Sequence, residues 1–349
     1  MAYITFQPKN HFNTILYTGT SSAPNAKTGV NFQPDLLWIK PRNFADPHRF
    51  HSPLLTASDY YLTTTGSPVP GETQNANCIT SFDSDGFTLG NTDGGWNSSS
   101  YNYVAWNWLA GNGTSSNTDG SITSTVSANT ASGFSLVKYT GTGSAATIGH
   151  GLGAVPKMIF TKVFSSSGNQ WAVYHSSLGN GNAMFFEATT ASTASSTLWN
   201  NTTPTSSVFS VGSAGDSNGS SLNILAYCFA ETKGFSKFGS YTGNAASLFV
   251  YTGFRPAWLM VKRSDSADNW KIVDAKRSPF NIADYTLAAD SSGTEGAPEG
   301  GINIDLLSNG FSYNAITNAA FNANGGTYIY AAFAEQPLVT SNGLPSNAR

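Results

Sequence analysis

Short apolar runs separated by polar, glycine-rich turns extend along the whole chain. Three of these runs share one layout, in which a proline stands six residues before a lysine: "FQPDLLWIK" (32–40), "AVPKMIFTK" (154–162) and "FRPAWLMVK" (254–262). Runs of four to eight residues rich in Val, Ile, Tyr, Phe and Trp are typical of β-strands. Because helical periodicity is scarce, the pattern predicts an all-β fold, with these three runs as strands buried on both faces.

The apolar runs belong to a longer internal repeat. Tyr-Thr-Gly triplets begin at Tyr17, Tyr139 and Tyr241, at spacings of 122 and 102 residues. Phe87, Phe209 and Phe311 keep the same spacings. Each copy then closes with one of the runs "YVAWNWLAG", "LAYCFAETKG" and "YAAFAEQP". A period of this length exceeds that of a solenoid unit and suits a compact domain duplicated in tandem.

We therefore predict three tandem copies of a β-sandwich-like module. The predicted division is an N-terminal strand or arm at 1–10, modules at 11–130, 131–232 and 233–340, and a tail at 341–349. The first copy is the longest, and its extra residues lie mainly in 65–77 and 110–133. Gly, Ser, Pro and Asn dominate both stretches, which predicts loop insertions or a linker.

The repeated lysines, Lys40, Lys162 and Lys262, have two interpretations. In the structural one, the aliphatic stem lies along apolar surface and the ammonium group reaches water. In the other, the lysine binds a carboxylate or phosphate of a ligand. The structural interpretation is favoured, since no neighbouring residue adds to the second.

The N-terminus repeats part of the module boundary. Residues 2–19 resemble residues 226–243, with Tyr3 and Tyr227 each 14 residues before the tyrosine of a Tyr-Thr-Gly triplet. The closing strand thus occurs four times for three modules. We hypothesise that such a strand bridges into the next module, or that the terminal copy pairs with the edge of a neighbouring subunit.

Composition narrows the function classes. Charged residues make up 11% of the 349 residues, and the net charge is −3 without any basic run. Nucleic acid is therefore not an expected partner. No signal peptide and no apolar stretch long enough for a membrane span is visible, so synthesis in a cytosol without membrane insertion is expected.

Residues that could carry chemistry are few. The five histidines lack the spacing of a metal site, and Cys228 is expected to be a small buried hydrophobe. "DSDG" at 83–86 predicts a turn, with a surface calcium site at Asp83 and Asp85 as the alternative. No nucleotide-binding or hydrolase fingerprint is present, and Glu231 and Glu335 match each other only in modules two and three. We expect neither enzymatic activity nor a cofactor.

Aromatic side chains in polar surroundings are the candidates for binding. Trp96, Trp199, Tyr60 and Tyr61 have Asn, Asp and Ser as neighbours. This combination stacks sugar rings and binds their hydroxyl groups, so it predicts glycan or partner binding. Aromatic residues buried in a sandwich or at a subunit interface would give the same pattern.

The runs "FQPDLLWIK", "SFDSDGFTLG" and "YVAWNWLAG", with the start "MAYITFQPKNHFNTILYTG", resemble a family of tailed-phage virion proteins of the tail-fibre or tail-protein type, common in phages of marine bacteria. The resemblance is clearest in module one. It implies a structural or adhesive part of a virion and implies no catalytic residues.

Two functions follow as expectations. The first is a tail fibre or tail-associated protein that contributes to recognition of host-surface glycan, with repeated sites adding avidity. The second is a capsid decoration, head-fibre or scaffold protein that binds other virion proteins. In both, the chain is expected in the virion, after assembly in the host cytoplasm, as a homo-oligomer with a trimer favoured; one chain filling a pseudo-threefold position stays open.

Overall fold

The computed structural model describes residues 6–55, 61–64, 78–296, 302–315, 317–334 and 336. These residues are nearly all in β-strands and turns, which confirms the predicted all-β class. Helical structure in them is limited to a 3-10 turn at Pro8–Asn10 and two single-turn helices, α1 (Gly215–Asn218) and α2 (Ala319–Asn322). No helix in the described ranges has the length and hydropathy needed to cross a membrane.

Three large antiparallel sheets follow one another along the chain. Sheet I contains β1 (Phe12–Thr18), β3 (Leu36–Pro41), β4 (Arg49–His51), β5 (Leu62–Thr63) and β8 (Asn102–Trp108), in the order β1-β8-β3-β4-β5. Sheet II contains β9 (Ser115–Asn117), β10 (Ser124–Asn129), β11 (Phe134–Thr140), β13 (Pro156–Val163), β14 (Ala172–His175), β15 (Asn182–Phe185), β16 (Thr193–Ala194) and β18 (Asn223–Ala230), in the order β16-β15-β14-β13-β18-β11-β10-β9. Sheet III contains β19 (Ser236–Thr242), β21 (Pro256–Arg263), β22 (Lys271–Asp274), β23 (Leu287–Ala288) and β26 (Thr327–Ala334), in the order β19-β26-β21-β22-β23.

A smaller outer sheet covers one face of each large sheet, which makes the architecture sandwich-like. Outer sheet I has β2 (Asn25–Thr28), β6 (Ile79–Asp83) and β7 (Gly86–Leu89), in the order β2-β7-β6. Outer sheet II pairs β12 (Ala146–Gly149) with β17 (Val208–Val211). Outer sheet III has β20 (Leu248–Tyr251), β24 (Ile304–Leu307) and β25 (Gly310–Tyr313), in the order β20-β25-β24.

The three large sheets share the order of their five common strands. The register also agrees, because Trp38 lies opposite Trp106, Phe160 opposite Tyr227 and Met260 opposite Ala331. The proline–lysine runs form β3, β13 and β21, the middle strands of these five, and they are buried on both faces almost throughout. The predicted double burial of these runs is confirmed.

The predicted loop insertion or linker at 110–133 is not irregular throughout. This stretch contains β9 and β10, and β10 pairs with β11 at the edge of sheet II. Its Ser, Thr and Asn content is compatible with an exposed edge, where only one face is covered and polar side chains face water. The other predicted insertion, at 65–77, lies outside the described residues.

The faces of the large sheets that lack an outer sheet pack against one another in a shared aromatic core. Side chains from all three sheets belong to this single cluster, including Trp38, Trp108, Phe160, Phe229, Trp258 and Phe333. A residual cavity of about 20 Å³ at its centre is lined only by apolar side chains. A space of this size without polar partners is a packing defect and holds no ligand.

The Tyr-Thr-Gly triplets have a structural role that the three occurrences share. The hydroxyl group of Tyr139 donates to the Ser217 carbonyl oxygen, and the side chain of the next residue, Asn218, accepts from the Thr142 N–H and donates to two carbonyl oxygens. A Cβ on Gly141 would lie 2.4 Å from the Gly219 carbonyl oxygen, so only glycine fits there. Matching bonds join Tyr17 to the Trp96 carbonyl, Tyr241 to the Phe321 carbonyl, and the side chains of Asn97 and Asn322 to the backbone after the other two triplets.

Candidate ligand-binding cleft

The aromatic residues predicted to bind glycan are part of the core. Trp96 and Trp199 are 0% and 1% exposed, and Tyr61 is 5% exposed. Trp96 packs between Tyr61 and His51 under outer sheet I, with ring centroids 5.0 and 4.7 Å away, and Trp199 packs against Tyr174. Buried rings offer no face to a sugar, so the prediction of sugar stacking is wrong for these three, and the buried alternative holds. Tyr60 lies outside the described residues.

The other candidate residues also have structural environments. Asp83 and Asp85 flank the turn of the β6–β7 hairpin, as predicted, and the Asp85 carboxylate accepts hydrogen bonds from Gly29 and Asn31. Glu231 forms an ion pair with Lys237, whereas Glu335 lies outside the described residues. Cys228 is a buried thiol whose pKa is raised by burial. Within the described ranges, no group of three or more His, Cys, Asp or Glu side chains could hold a metal ion.

The repeated lysines do not reach water, contrary to the prediction. Lys40 and Lys262 are fully buried and Lys162 is 5% exposed. Their ammonium groups donate to backbone carbonyls, including Ser292 for Lys40 and Thr189 for Lys262. Burial lowers the pKa of Lys40 and of Lys262 to about 8. The Lys40 and Lys262 ammonium groups bond across a seam between two sheets, and Lys162 bonds to the Asn169 carbonyl in the connection after its own strand. The carbonyls take the place of water as the partner.

Equivalent hydrogen bonds close the three large sheets into a ring. In the strand order that the three large sheets share, the residue just before the fourth strand has a side-chain ring nitrogen that bonds to a carbonyl oxygen of the fifth strand of another sheet. These bonds join His48 to Ala288 at 3.0 Å, Trp171 to Thr63 at 2.8 Å and Trp270 to Phe185 at 3.0 Å. Sheet I thus bonds to sheet III, sheet II to sheet I, and sheet III to sheet II. The contacts form a closed cycle, so loops from two sheets meet at each seam.

An open cleft of about 360 Å³ lies at the seam between sheets I and III. It is lined by Arg42, Asn43, Asn102, Thr294 and Glu295. This volume falls in the range of small-molecule sites, and the lining is polar. The size and the polar lining of the cleft are compatible with a small hydroxyl-rich ligand.

The backbone positions the sheet I side of the cleft. Arg42 follows β3, and its N–H donates to the Asn102 carbonyl at the start of β8. The Asn43 side chain accepts from the Asn102 N–H at 2.8 Å, and the Asn102 side chain accepts from the Thr18 hydroxyl. Phe44, which follows Asn43, and Tyr101, which precedes Asn102, stack with ring centroids 4.2 Å apart. The two asparagine amides are therefore fixed at the adjoining ends of β3 and β8.

A buried charge network positions the sheet III side. The Glu295 carboxylate accepts from Arg42 at 2.8 Å and from Arg277 at 3.1 Å. Arg277 also binds Asp274 at 2.5 Å, and Asp274 accepts from the Trp106 indole at 3.1 Å. This chain of contacts runs from the shared core to the cleft, so the floor of the cleft is fixed by packing in both sheets.

Donor groups remain available in the cleft. The Arg42 bonds to Glu295 use Nε and Nη2, and the Asn102 bond to Thr18 uses Oδ1. Among the described residues, Arg42 Nη1, Asn102 Nδ2 and the Thr294 hydroxyl have no hydrogen-bond partner. Fixed planar donors beside a hydroxyl group can bind the hydroxyl and carbonyl oxygens of a saccharide.

A family model described as a domain of unknown function, DUF7483, matches residues 7–337. The chain belongs to the DUF7483 family. A search of curated proteins finds no match to the sequence. The match to DUF7483 spans all three large sheets and the cleft, so the family domain is the whole three-sheet body.

Sequence reasoning missed the residues of the cleft. Arg42, Asn102 and Glu295 are far apart in the chain: the pairing of β3 with β8 joins Arg42 to Asn102, and the contact between sheets I and III brings Glu295 to them. The available signal was the pair of asparagines that flank aromatic residues in "RNF" and "YNY". Asparagines beside aromatic residues are too common in a chain of this composition to identify a site.

Proposed function

We propose that the chain is a non-enzymatic virion protein of a tailed phage, of the tail-fibre or tail-associated type, that binds host-surface glycan in the cleft between sheets I and III. The observation that carries the glycan proposal is the cleft itself. It presents an arginine nitrogen, an amide and a hydroxyl group as available donors on a rigid body. The resemblance of the sequence to tail proteins and its low charge support the virion role.

We also propose that the three sheets are copies of one module arranged as a single-chain counterpart of a trimer. The shared strand order, the equivalent registers and the closed cycle of seam contacts support this arrangement. In this arrangement, among the described residues, the arginine of the proposed glycan site occurs at the seam between sheets I and III, and the seam between sheets III and II has Ser264 in its place. The seam between sheets II and I has Phe164 in the place of Arg42, since each residue follows the middle strand by the same number of positions.

A glycan array tests the binding proposal with a matched pair of variants. Asn102→Ala removes the amide in the cleft together with the acceptor of the Thr18 hydroxyl group. Asn223→Ala is the control, because Asn223 accepts from the Thr140 hydroxyl at the equivalent point of sheet II. We expect the labelled wild-type chain to bind bacterial surface saccharides on the array. The apparent affinity of Asn102→Ala is expected to be at least about tenfold lower, and that of Asn223→Ala is expected to equal the wild-type value.

Two results would contradict the proposal. One is a wild-type chain that retains no saccharide from the host surface. The other is a loss of binding that is equal in Asn102→Ala and Asn223→Ala, since both variants lose the same edge contact and only one changes the cleft.

A further inference from the structure

Outer sheet III has an exposed apolar edge strand. The side chains of Phe249 and Tyr251 in β20 are 46% and 64% exposed. Their register partners in β25 are Ser312 and Gly310. In the two other outer sheets the same register positions hold small or polar residues, Thr147 and Gly149 in β12 and Ala26 and Thr28 in β2.

Outer sheet II shows what such an edge binds. The segment 120–122, in the connection between β9 and β10, lies along the free edge of β12, and Ile122 forms a parallel bridge with Ile148. The Ile122 N–H donates to the Thr147 carbonyl oxygen at 3.0 Å, and the Ser121 hydroxyl accepts from the Thr147 N–H at 2.9 Å. Ile122 is buried in the same cluster as Ile148. The edge of β12 is therefore covered by a short segment of this chain, held by one bridge and by the hydrogen bonds to Thr147.

The contact requires a small residue next to the edge. A Cβ on Gly120 would lie 2.3 Å from the Thr147 carbonyl oxygen, so a side chain would prevent the approach. The covering segment thus has the order glycine, small hydroxyl residue, aliphatic residue. Backbone bonds hold it, and the aliphatic side chain extends the core under the outer sheet.

Outer sheet III has the same edge, and no described residue covers it. Phe249 has the same register position in β20 as Thr147 has in β12. Because backbone groups in an antiparallel pair point alternately toward and away from the partner strand, the N–H and carbonyl of Phe249 point away from β25. Neither group has a partner among the described residues. The connection that precedes sheet III, 231–235, is only five residues long, whereas 25 residues, 109–133, separate β8 from β11. The short connection leaves no residues to run along β20.

We propose that the free edge of β20 binds an extended segment of another protein by parallel strand addition, in the way that residues 120–122 cover β12. The partner segment has a small residue, preferably glycine, where it passes the Phe249 backbone, and then an aliphatic side chain that packs over Val250. The segment is uncharged, because the edge that it covers, "LFVY", consists of apolar and aromatic residues. β2 is unsuited to such a partner, since it reads "NAKT" and its lysine discourages pairing.

A peptide taken from this chain is the probe. The uncharged segment 120–126, "GSITSTV", contains the residues that cover β12. We expect its fluorescently labelled form to bind the full chain saturably, as measured by fluorescence anisotropy. A control peptide with Asp in place of the Ile122 residue is expected to lose the binding.

Matched variants locate the site. Phe249→Lys places a charge on the β20 edge and is expected to weaken peptide binding at least about tenfold, while Ala26→Lys makes the same change at the matching position of β2 and is expected to leave it unchanged. Absence of saturable binding would overturn the proposal, as would equal loss in both variants. Self-association of the wild-type chain that Phe249→Lys abolishes would overturn the assignment to another protein and identify a second copy as the occupant. The proposal does not depend on glycan binding in the cleft.

Discussion

The Trp38 indole N–H donates to Nδ1 of His48 at 2.9 Å. An indole nitrogen is only a donor, so Nδ1 is unprotonated and the proton lies on Nε2, which donates to the Ala288 carbonyl of sheet III. His175 has the same tautomer, because its Nδ1 accepts from the Ser177 N–H and its Nε2 faces the Tyr330 carbonyl at 3.2 Å. Both seams of sheet III therefore require a neutral histidine.

Acid is expected to destabilise these seams. Burial lowers the pKa of His175 to about 4, and burial and the Lys40 charge hold the pKa of His48 well below its usual range. A histidine with a lowered pKa binds fewer protons in the folded state, so its stabilisation is present above about pH 6.5 and is lost as the pH falls toward 4. For His175 the full loss amounts to about 3 kcal/mol.

The melting temperature measured from pH 7.5 to pH 4.5 checks this prediction. We expect a steep fall below pH 6.5 in the wild type and a shallower fall in His175→Gln, whose amide can donate to the same carbonyl without titrating. A wild-type melting temperature that is level across this range would show that the histidines are not neutral and buried at the seams.

Alkaline pH is expected to stabilise the fold over a limited window. The pKa values of Lys40 and Lys262 are lowered to about 8 by burial, so between pH 8 and about pH 10 the unfolded chain binds more protons than the folded one. Above about pH 10 the trend reverses, because burial raises the pKa of Tyr103 and of Tyr330 to about 12 and the unfolded tyrosines ionise first.

Chemical denaturation at pH 7.5, 8.5 and 9.5 measures this window. The free energy of unfolding of the wild type is expected to rise across the three values, and Lys262→Met is expected to have a smaller rise. The comparison uses the change with pH in each protein, so a difference in stability between the two proteins at pH 7.5 does not affect it. An equal rise in both would exclude Lys262 as a source.

The Glu295 ion pairs are expected to contribute more to stability than an exposed pair. Glu295→Gln removes the carboxylate that joins Arg42 to the fully buried Arg277 and leaves Arg277 with Asp274 alone as its charged partner, and a loss of about 1–3 kcal/mol is expected. Glu231→Gln is the control, because the pair of Glu231 with Lys237 is about one-third exposed and its loss is expected to cost less than about 1 kcal/mol. Urea denaturation of the two variants gives both values; equal costs would contradict the prediction.

The buried asparagines that follow the outer sheets are expected to stabilise the folded state. Asn218→Ala removes one acceptor and two donors that hold the backbone after the Tyr139 triplet, at an expected cost of about 1–3 kcal/mol. Asn180→Ala removes one exposed side-chain contact and should be nearly neutral. A urea midpoint of Asn218→Ala that equals that of Asn180→Ala would show that the buried bonds are not formed.

The sequence allowed the class and the middle strands to be predicted because both depend on local patterns. Successive side chains of a strand point to opposite faces, and both faces are buried in Leu36–Pro41, Pro156–Val163 and Pro256–Arg263. Their burial on both faces could therefore be predicted from unbroken hydrophobic runs. The hydrogen-bond partners of the repeated lysines could not be predicted from local sequence, since Lys40 bonds to Ser292, which is 252 residues away. Trp96 was misjudged for a related reason: its sequence neighbours are polar, but the ring lies under an outer sheet formed by distant residues.

Calorimetric unfolding at pH 8 tests most directly whether the three sheets form one body, on which the fixed geometry of the cleft depends. The shared aromatic core and the closed cycle of seam contacts predict a single transition, with a van't Hoff enthalpy about equal to the calorimetric enthalpy. Sheets that fold independently would give separate transitions, or a van't Hoff enthalpy of about one-third of the calorimetric value, and either result would contradict the account.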